Sequence, residues 1–141
     1  MVNPERYAEL LATARKMFER AHAPYSKYRV GAALLSKDEQ VFVGCIVEPC
    51  TLEGSICAER TATTAAIAAG CRELEAIAVA CEQNLEVWPC GVCRQFLAEF
   101  GLDLIVVVGG ADGKSIVTRK LSELLPYFYP PSEVLNVKVA K

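Results

Sequence analysis

The chain is poor in several things. It has one histidine, His22, two methionines and one tryptophan among 141 residues, and a formal net charge of only −2. Acidic and basic residues are interleaved, so it lacks the electrostatic footprint by which proteins hold a phosphate backbone, and no nucleic-acid partner is expected. No run of about 18 or more apolar residues is available to cross a bilayer. The opening residues, Met1-Val2-Asn3-Pro4-Glu5-Arg6, lack the apolar stretch of a secretory signal. A cytoplasmic protein without a membrane partner is the expectation. Internal repeats, low-complexity tracts and linkers are likewise missing.

What is present suffices for a core. Hydrophobic residues make up 52% of the sequence, and 141 residues is the length of one ordinary domain, so 1–141 is read as a single unit. Seven cysteines is an odd number. In a compartment that keeps thiols reduced, metal binding is the better use for some of them. Cys45, Cys50, Cys71 and Cys81 each have a small or apolar neighbour and read as small buried hydrophobes, with Cys50 in a loop close to the proposed site.

Asn3-Pro4-Glu5 predicts a helix start, with Asn3 as N-cap and Pro4 in the first turn; Tyr7, Leu10, Leu11, Ala14, Phe18 and Ala21 then recur at helical spacing until Pro24. Val30 to Leu35 and Val41 to Val47 read as a hairpin about the polar turn 36–40. The alanine-rich stretch from Cys57 to Ala69 favours a helix closed by Gly70. Ala76 to Cys81 reads as a buried strand, Gly91 to Phe100 as a helix with Phe96, Leu97 and Phe100 inward, and Leu104 to Val108 as another strand. A last strand near 116–118, a short helix at 120–125 and the aromatic segment Tyr127-Phe128-Tyr129 follow. Such alternation implies a sheet sandwiched by helices.

Chemistry concentrates in two segments, Cys57-Ala58-Glu59-Arg60 and Pro89-Cys90-Gly91-Val92-Cys93-Arg94-Gln95. They supply three thiols, one carboxylate and no obvious fourth ligand. A structural zinc is closed by four side chains, whereas a catalytic zinc keeps a position for water or substrate. The pattern therefore reads as hydrolytic. Cys90 and Cys93, three positions apart at a helix start, face one side and can bite one ion, while Cys57 must come from the other helix. At helix N-termini, backbone N–H groups and the macrodipole favour thiolate. Arg60 can donate hydrogen bonds to thiolate sulfur, offsetting the charge of three thiolates. Glu59 is the candidate proton carrier.

Two other readings compete. Trp88-Pro89-Cys90-Gly91-Val92-Cys93 before a helix suggests a thiol redox site, but leaves Cys57 and Glu59 without a purpose. A noncatalytic zinc module requires a fourth ligand, for which His22 is the available imidazole; at the end of the first helix, His22 reads instead as a helix C-terminal or surface residue.

Together with Ala23-Pro24-Tyr25-Ser26, Val30-Gly31-Ala32-Ala33-Leu34-Leu35, Gly44-Cys45, Glu48 and Leu124-Leu125-Pro126, these motifs resemble, over nearly the whole chain, the small homotetrameric zinc-dependent cytidine deaminases of pyrimidine salvage. The resemblance implies an α/β three-layer sandwich with a mixed five-stranded sheet flanked by helices. It implies one zinc per subunit on Cys57, Cys90 and Cys93, Glu59 as catalytic residue and Arg60 beside the thiolates. The Ala58 N–H would meet the pyrimidine O2 and Glu48 the ribose 3′-hydroxyl, with Tyr28 and Tyr129 packing around the base and Tyr129 at a subunit interface. The implied activity is hydrolysis of cytidine or deoxycytidine to the uridine product and ammonia, by a homotetramer. One departure bears on the sugar: the family pattern after Gly44-Cys45 is Asn-x-Glu-Asn, and here Ile46-Val47-Glu48-Pro49 stands in its place. The loop 50–55 also lacks the family's tyrosine. A cytosine nucleoside with an altered sugar, of nucleoside-antibiotic type, is the alternative substrate.

Overall fold

Asn3 opens the first helix as the sequence predicts, its side-chain oxygen accepting from the Glu5 N–H at 3.0 Å. The computed structural model describes residues 3–83 and 86–130. Helix α1 covers Pro4–Phe18 and buries Tyr7, Leu10, Leu11 and Ala14. It stops well short of Pro24. Arg20 and Ala21 close tight turns on Met17 and Phe18, and His22 then leaves the helix to bond its backbone N–H to Ile46 and its carbonyl to Glu48. Tertiary backbone pairing, not the proline, ends the helix, and His22 is an exposed residue beyond it.

Five strands form one sheet in the order β2-β1-β3-β4-β5, comprising β1 (Val30–Ser36), β2 (Val41–Cys45), β3 (Leu74–Cys81), β4 (Ile105–Gly109) and β5 (Ile116–Lys120). Only β3 and β4 pair in parallel, so the sheet is mixed. Strand β2 ends at Cys45, earlier than the apolar run suggests, because Val47 pairs instead with His22 on one side and Ile56 on the other. Helices α2 (Ala58–Ala68) and α3 (Gly91–Ala98) follow β2 and β3, and α4 (Leu121–Leu124) follows β5.

The strand period of two sorts the core onto two faces. Val30, Ala32, Leu34, Ile77, Val79, Val106 and Val108 pack with Ala58, Ala62 and Ala66 of α2 and Leu97 of α3. Ala33, Leu35, Ala76, Ala78, Ala80 and Val107 face Tyr7, Leu10, Leu11 and Ala14 of α1. Helix, sheet and helices thus make three layers. The helices lie close because small residues line their seats. A Cβ at Gly31 would strike the backbone of α1 at Ala14 and Phe18, and one at Gly44 would strike the α2 backbone at Ala58 and Ala62.

Helix α3 ends at Ala98, short of Phe100, and of the three expected inward residues only Leu97 is fully buried; Phe96 and Phe100 are half-buried and tilt against each other with ring centroids 6.2 Å apart. Among the four cysteines read as buried hydrophobes, Cys81 is buried, Cys45 and Cys71 are half-covered and Cys50 is exposed. The reason is position: Cys45 ends an edge strand, Cys71 lies in the turn into β3, and Cys50 sits in the surface loop before a 3₁₀ turn at Leu52–Gly54.

Candidate active site

Topology brings the two cysteine segments together. Val30 at the start of β1 pairs with Cys81 at the end of β3, and Gly31 pairs with Cys45 at the end of β2, so both strand ends lie at one end of the sheet. Each is followed by a helix that runs back along the sheet. The N-termini of α2 and α3 therefore sit side by side at that end, with Cys57 as N-cap of α2 and Cys90 as N-cap of α3. Cys93 lies in the first turn of α3 and is fully buried.

The sulfurs of Cys57, Cys90 and Cys93 all lie within 4.8 Å of one another, with Cys57 and Cys90 at 3.9 Å. Among the described residues no other histidine, cysteine or carboxylate joins the group, and His22 is not part of it. Soft donors converging at two positive helix ends, with a guanidinium beside them, are a donor set that fits a divalent zinc ion. Arg60 points its Nη2 at Cys57 Sγ across 3.4 Å and at the Ser55 carbonyl across 3.3 Å. The Cys93 thiol and Arg60 both donate toward Cys57 and hold its pKa down at about 5. The Cys93 thiol is pushed up, first by that shared proton and then by burial.

Glu59 is the second residue of α2 and is 4% exposed. Burial pushes its carboxyl up to about 7, and the negative charge of Cys57 adds to the effect. At mid-helix a side chain two positions from Cys57 would point away. In the first turn of α2 it is buried instead, and a buried carboxyl poised near neutrality is suited to taking up and giving back a proton.

Glu48, also buried, follows β2 at the same end of the molecule. Its Oε1 accepts from the backbone N–H groups of Ser26 at 3.2 Å and Tyr25 at 3.4 Å; the Ser26 side chain first, and then these N–H groups, hold its pKa below the usual carboxylate range. Ala58 is the buried first residue of α2, where helix N–H groups have no intrahelical acceptor. Tyr28 lies half-buried just before β1 and packs on the α2 face of the core. Burial, then Cys81, then the charge of Glu59 push its phenol up to about 12. Ile46 packs half-buried against the same core, presenting a hydrocarbon surface. Tyr129 is 56% exposed, and its backbone is bonded to Gln95 of α3.

Arg94 and Gln95 are the residues to which sequence reasoning gave no role. Arg94 donates from Nε to Pro89 O at 2.7 Å and from Nη1 to Leu124 O at 2.8 Å, fastening the loop that carries Cys90 to α4. Their signal was adjacency to Cys93, but their partners are remote in sequence.

Comparison with known proteins agrees with the arrangement. A family model for the cytidine and deoxycytidylate deaminase zinc-binding region matches residues 4–109. A cytidine deaminase of Sporosarcina psychrophila is 45% identical over 92 residues, spanning 65% of this chain and 68% of that protein. A probable cytidine deaminase of Dictyostelium discoideum is 36% identical over 135 residues, 95% of this chain and 90% of its own. The crystal structure of cytidine deaminase from Burkholderia pseudomallei superposes with a TM-score of 0.81 at 41% identity, covering 86% of this chain and 98% of that one.

Proposed function

Because this chain belongs to the cytidine and deoxycytidylate deaminase family, we propose that it hydrolyses cytidine and deoxycytidine to uridine and deoxyuridine with release of ammonia. The observation that carries the reading is the meeting of three cysteine sulfurs at two helix N-termini beside a buried carboxyl of raised pKa.

Cys57, Cys90 and Cys93 would hold one zinc ion per subunit. Bound there, zinc supplies the Lewis acidity that makes water a nucleophile near neutral pH. Glu59 takes a proton from the attacking water and passes it to N3 of the cytosine ring as the oxygen joins C4. It then takes the remaining proton from the oxygen on C4 and delivers it to the exocyclic nitrogen, and the C4–N bond breaks as the carbonyl forms and ammonia leaves. Arg60 holds Cys57 in its charged form. The Ala58 N–H, at the positive end of α2, meets the pyrimidine O2, and Tyr28 flanks the base. Glu48, with Oε1 engaged by two backbone N–H groups, offers its other oxygen to a sugar hydroxyl.

Ile46 supports a second reading. Its side chain cannot hydrogen-bond a sugar hydroxyl, and one lost hydrogen bond to a polar group costs about 0.5–1.5 kcal/mol. A cytosine nucleoside with an altered sugar is the substrate that would not miss it. The test is a nucleoside panel: cytidine, 2′-deoxycytidine and a sugar-modified cytosine nucleoside, followed by ultraviolet absorbance and ammonia release, with zinc quantified on the same sample. Turnover of the first two with about one zinc per chain is the expected result. Preference for the modified sugar would transfer the role to that substrate, and no ammonia from any of them would remove the deaminase reading.

The assembly we infer is a homotetramer. Apolar side chains around the cysteine segments support it: Val47 and Ile56, paired with each other, and Val92 beside Cys93 are all exposed in the single chain, as a covering subunit would require. Light scattering on the purified protein tests it, and an active monomer would refute it. Seven free thiols suit the reducing conditions of a cytoplasmic location.

A further inference from the structure

Between α1 and β1 the chain turns at a residue that does not favour the turn. Lys27 has a φ of 59°, in the left-handed region that a residue bearing a side chain enters only when its surroundings hold it there. Hydrogen bonds on both sides do so. The Lys27 N–H reaches the Ala23 carbonyl at 3.1 Å, and the Tyr28 N–H donates to the Ser26 hydroxyl oxygen at 3.0 Å. Ser26 engages Glu48 with what remains of its polar groups. Its backbone N–H donates to Glu48 Oε1 at 3.2 Å, and its side chain is foremost among the hydrogen-bonding partners that lower the Glu48 pKa. One serine thus grips a buried carboxylate through main chain and side chain, while its hydroxyl oxygen accepts from the backbone of Tyr28.

Ser26 itself is exposed, so no demand of core packing selects its side chain. What the hydroxyl does, it does through its two partners. A carboxylate and a ring whose backbone is pinned before a ligand arrives have less ordering entropy left to lose, and that gain is expressed in binding more than in chemistry.

We propose that Ser26 is a positioning residue for substrate binding, its hydroxyl holding Glu48 ready for the sugar and, through the Tyr28 N–H, setting the ring beside the base. The inference rests on the deaminase reading and adds a residue to it. Ser26 touches no reacting atom.

The test compares wild type, Ser26→Ala and Ser26→Thr in the full chain, with kcat and KM for cytidine and for 3′-deoxycytidine and the zinc content of each protein. Ser26→Ala is expected to raise KM for cytidine about tenfold, the scale of one net hydrogen bond, with a smaller change in kcat and unaltered zinc. With 3′-deoxycytidine, which has no hydroxyl for Glu48 to meet, the rise is expected to be about threefold or less. Ser26→Thr keeps the hydroxyl, has room for its methyl group at an exposed position, and is expected to recover most of the loss. An equal rise with both nucleosides, a threonine variant no better than alanine, or loss of zinc together with kcat would overturn the proposal in favour of a general structural role for the turn. Hydrogen exchange at the Tyr28 amide reads the turn without turnover: it is expected to quicken in Ser26→Ala, and unchanged exchange would overturn the hydroxyl's hold on Tyr28. A wild-type chain that binds zinc but deaminates no cytosine nucleoside would sink the deaminase reading and the substrate role of Ser26 with it, whereas wild-type turnover with the Ser26→Ala outcomes reversed would sink the inference alone.

Discussion

Arg60 Nη2 stands 3.4 Å from Cys57 Sγ and 3.3 Å from the Ser55 carbonyl oxygen, so one guanidinium ties the sulfur to the loop that delivers it. Three thiolates around a divalent ion leave an excess of negative charge, and Arg60 is placed to offset it. Arg60→Ala is expected to weaken zinc retention about 10–100-fold. Arg60→Lys restores the charge but not the planar fork, and should recover only part of the loss. Competition with a coloured chelator measures both.

Glu59 allows the proposed proton transfer to be tested apart from metal binding. Its carboxyl is buried and feels the charge of Cys57, yet it is not one of the three clustered donors. Glu59→Gln keeps the shape and removes the titrating proton, so kcat should fall at least about 10²–10⁴-fold while zinc content stays that of the wild type. Wild-type turnover in this variant would take Glu59 out of the mechanism.

Gly44 sets the height of α2 above the sheet. A Cβ there would lie 2.6 Å from the Ala58 carbonyl oxygen and against the Ala62 backbone. Neither neighbour can swing aside as a side chain would. Gly44→Ala is expected to cost about 1–3 kcal/mol of stability, read as a lower denaturant midpoint. It should also loosen zinc, because the helix that is pushed away begins at Cys57.

Glu48 should leave a mark on acid stability. Hydrogen bonds from Ser26 and Tyr25 hold its folded pKa below the ordinary value of 4.5. The unfolded chain therefore binds the proton first as pH falls. Stability from this carboxylate is fully present above the unfolded value and is lost as pH drops through the folded one. Glu48→Gln should flatten that acid limb. Urea midpoints measured from neutral pH down into the acid range would show it, and an unchanged slope would mean that the carboxylate is not held as described.

Removing the metal should abolish activity reversibly. A strong chelator is expected to suppress ammonia release, and added zinc to restore it. Activity that persists after zinc has been stripped to trace levels would remove the metal from the reaction.

Local features were legible because their causes are local. The Asn3 cap, the ligand-bearing helix starts after Cys57 and Cys90, and the alternation of strand and helix follow from side-chain chemistry and period within a few residues. Helix α1 was read too long because Ala21 keeps the period; the pull of Ile46 and Glu48 on the backbone of His22 is not visible in that stretch. Burial of Cys45, Cys50 and Cys71 was overestimated for a related reason. Apolar neighbours along the chain do not reveal an edge strand or a surface loop.

The sequence by itself determined the donor chemistry: three thiols, a carboxylate and an arginine in two short segments whose helix starts favour anionic sulfur. Only the tertiary structure decided that these segments meet. The antiparallel pairing of β1 with both β2 and β3 puts the ends of β2 and β3 at the same edge of the sheet, so that two helices start side by side. Folding likewise turned Glu59 inward, where loss of water raises its pKa, and brought Gln95 to Tyr129 across 34 residues. Desolvation and long-range backbone hydrogen bonds depend on which atoms become neighbours, and the linear order of residues does not contain that.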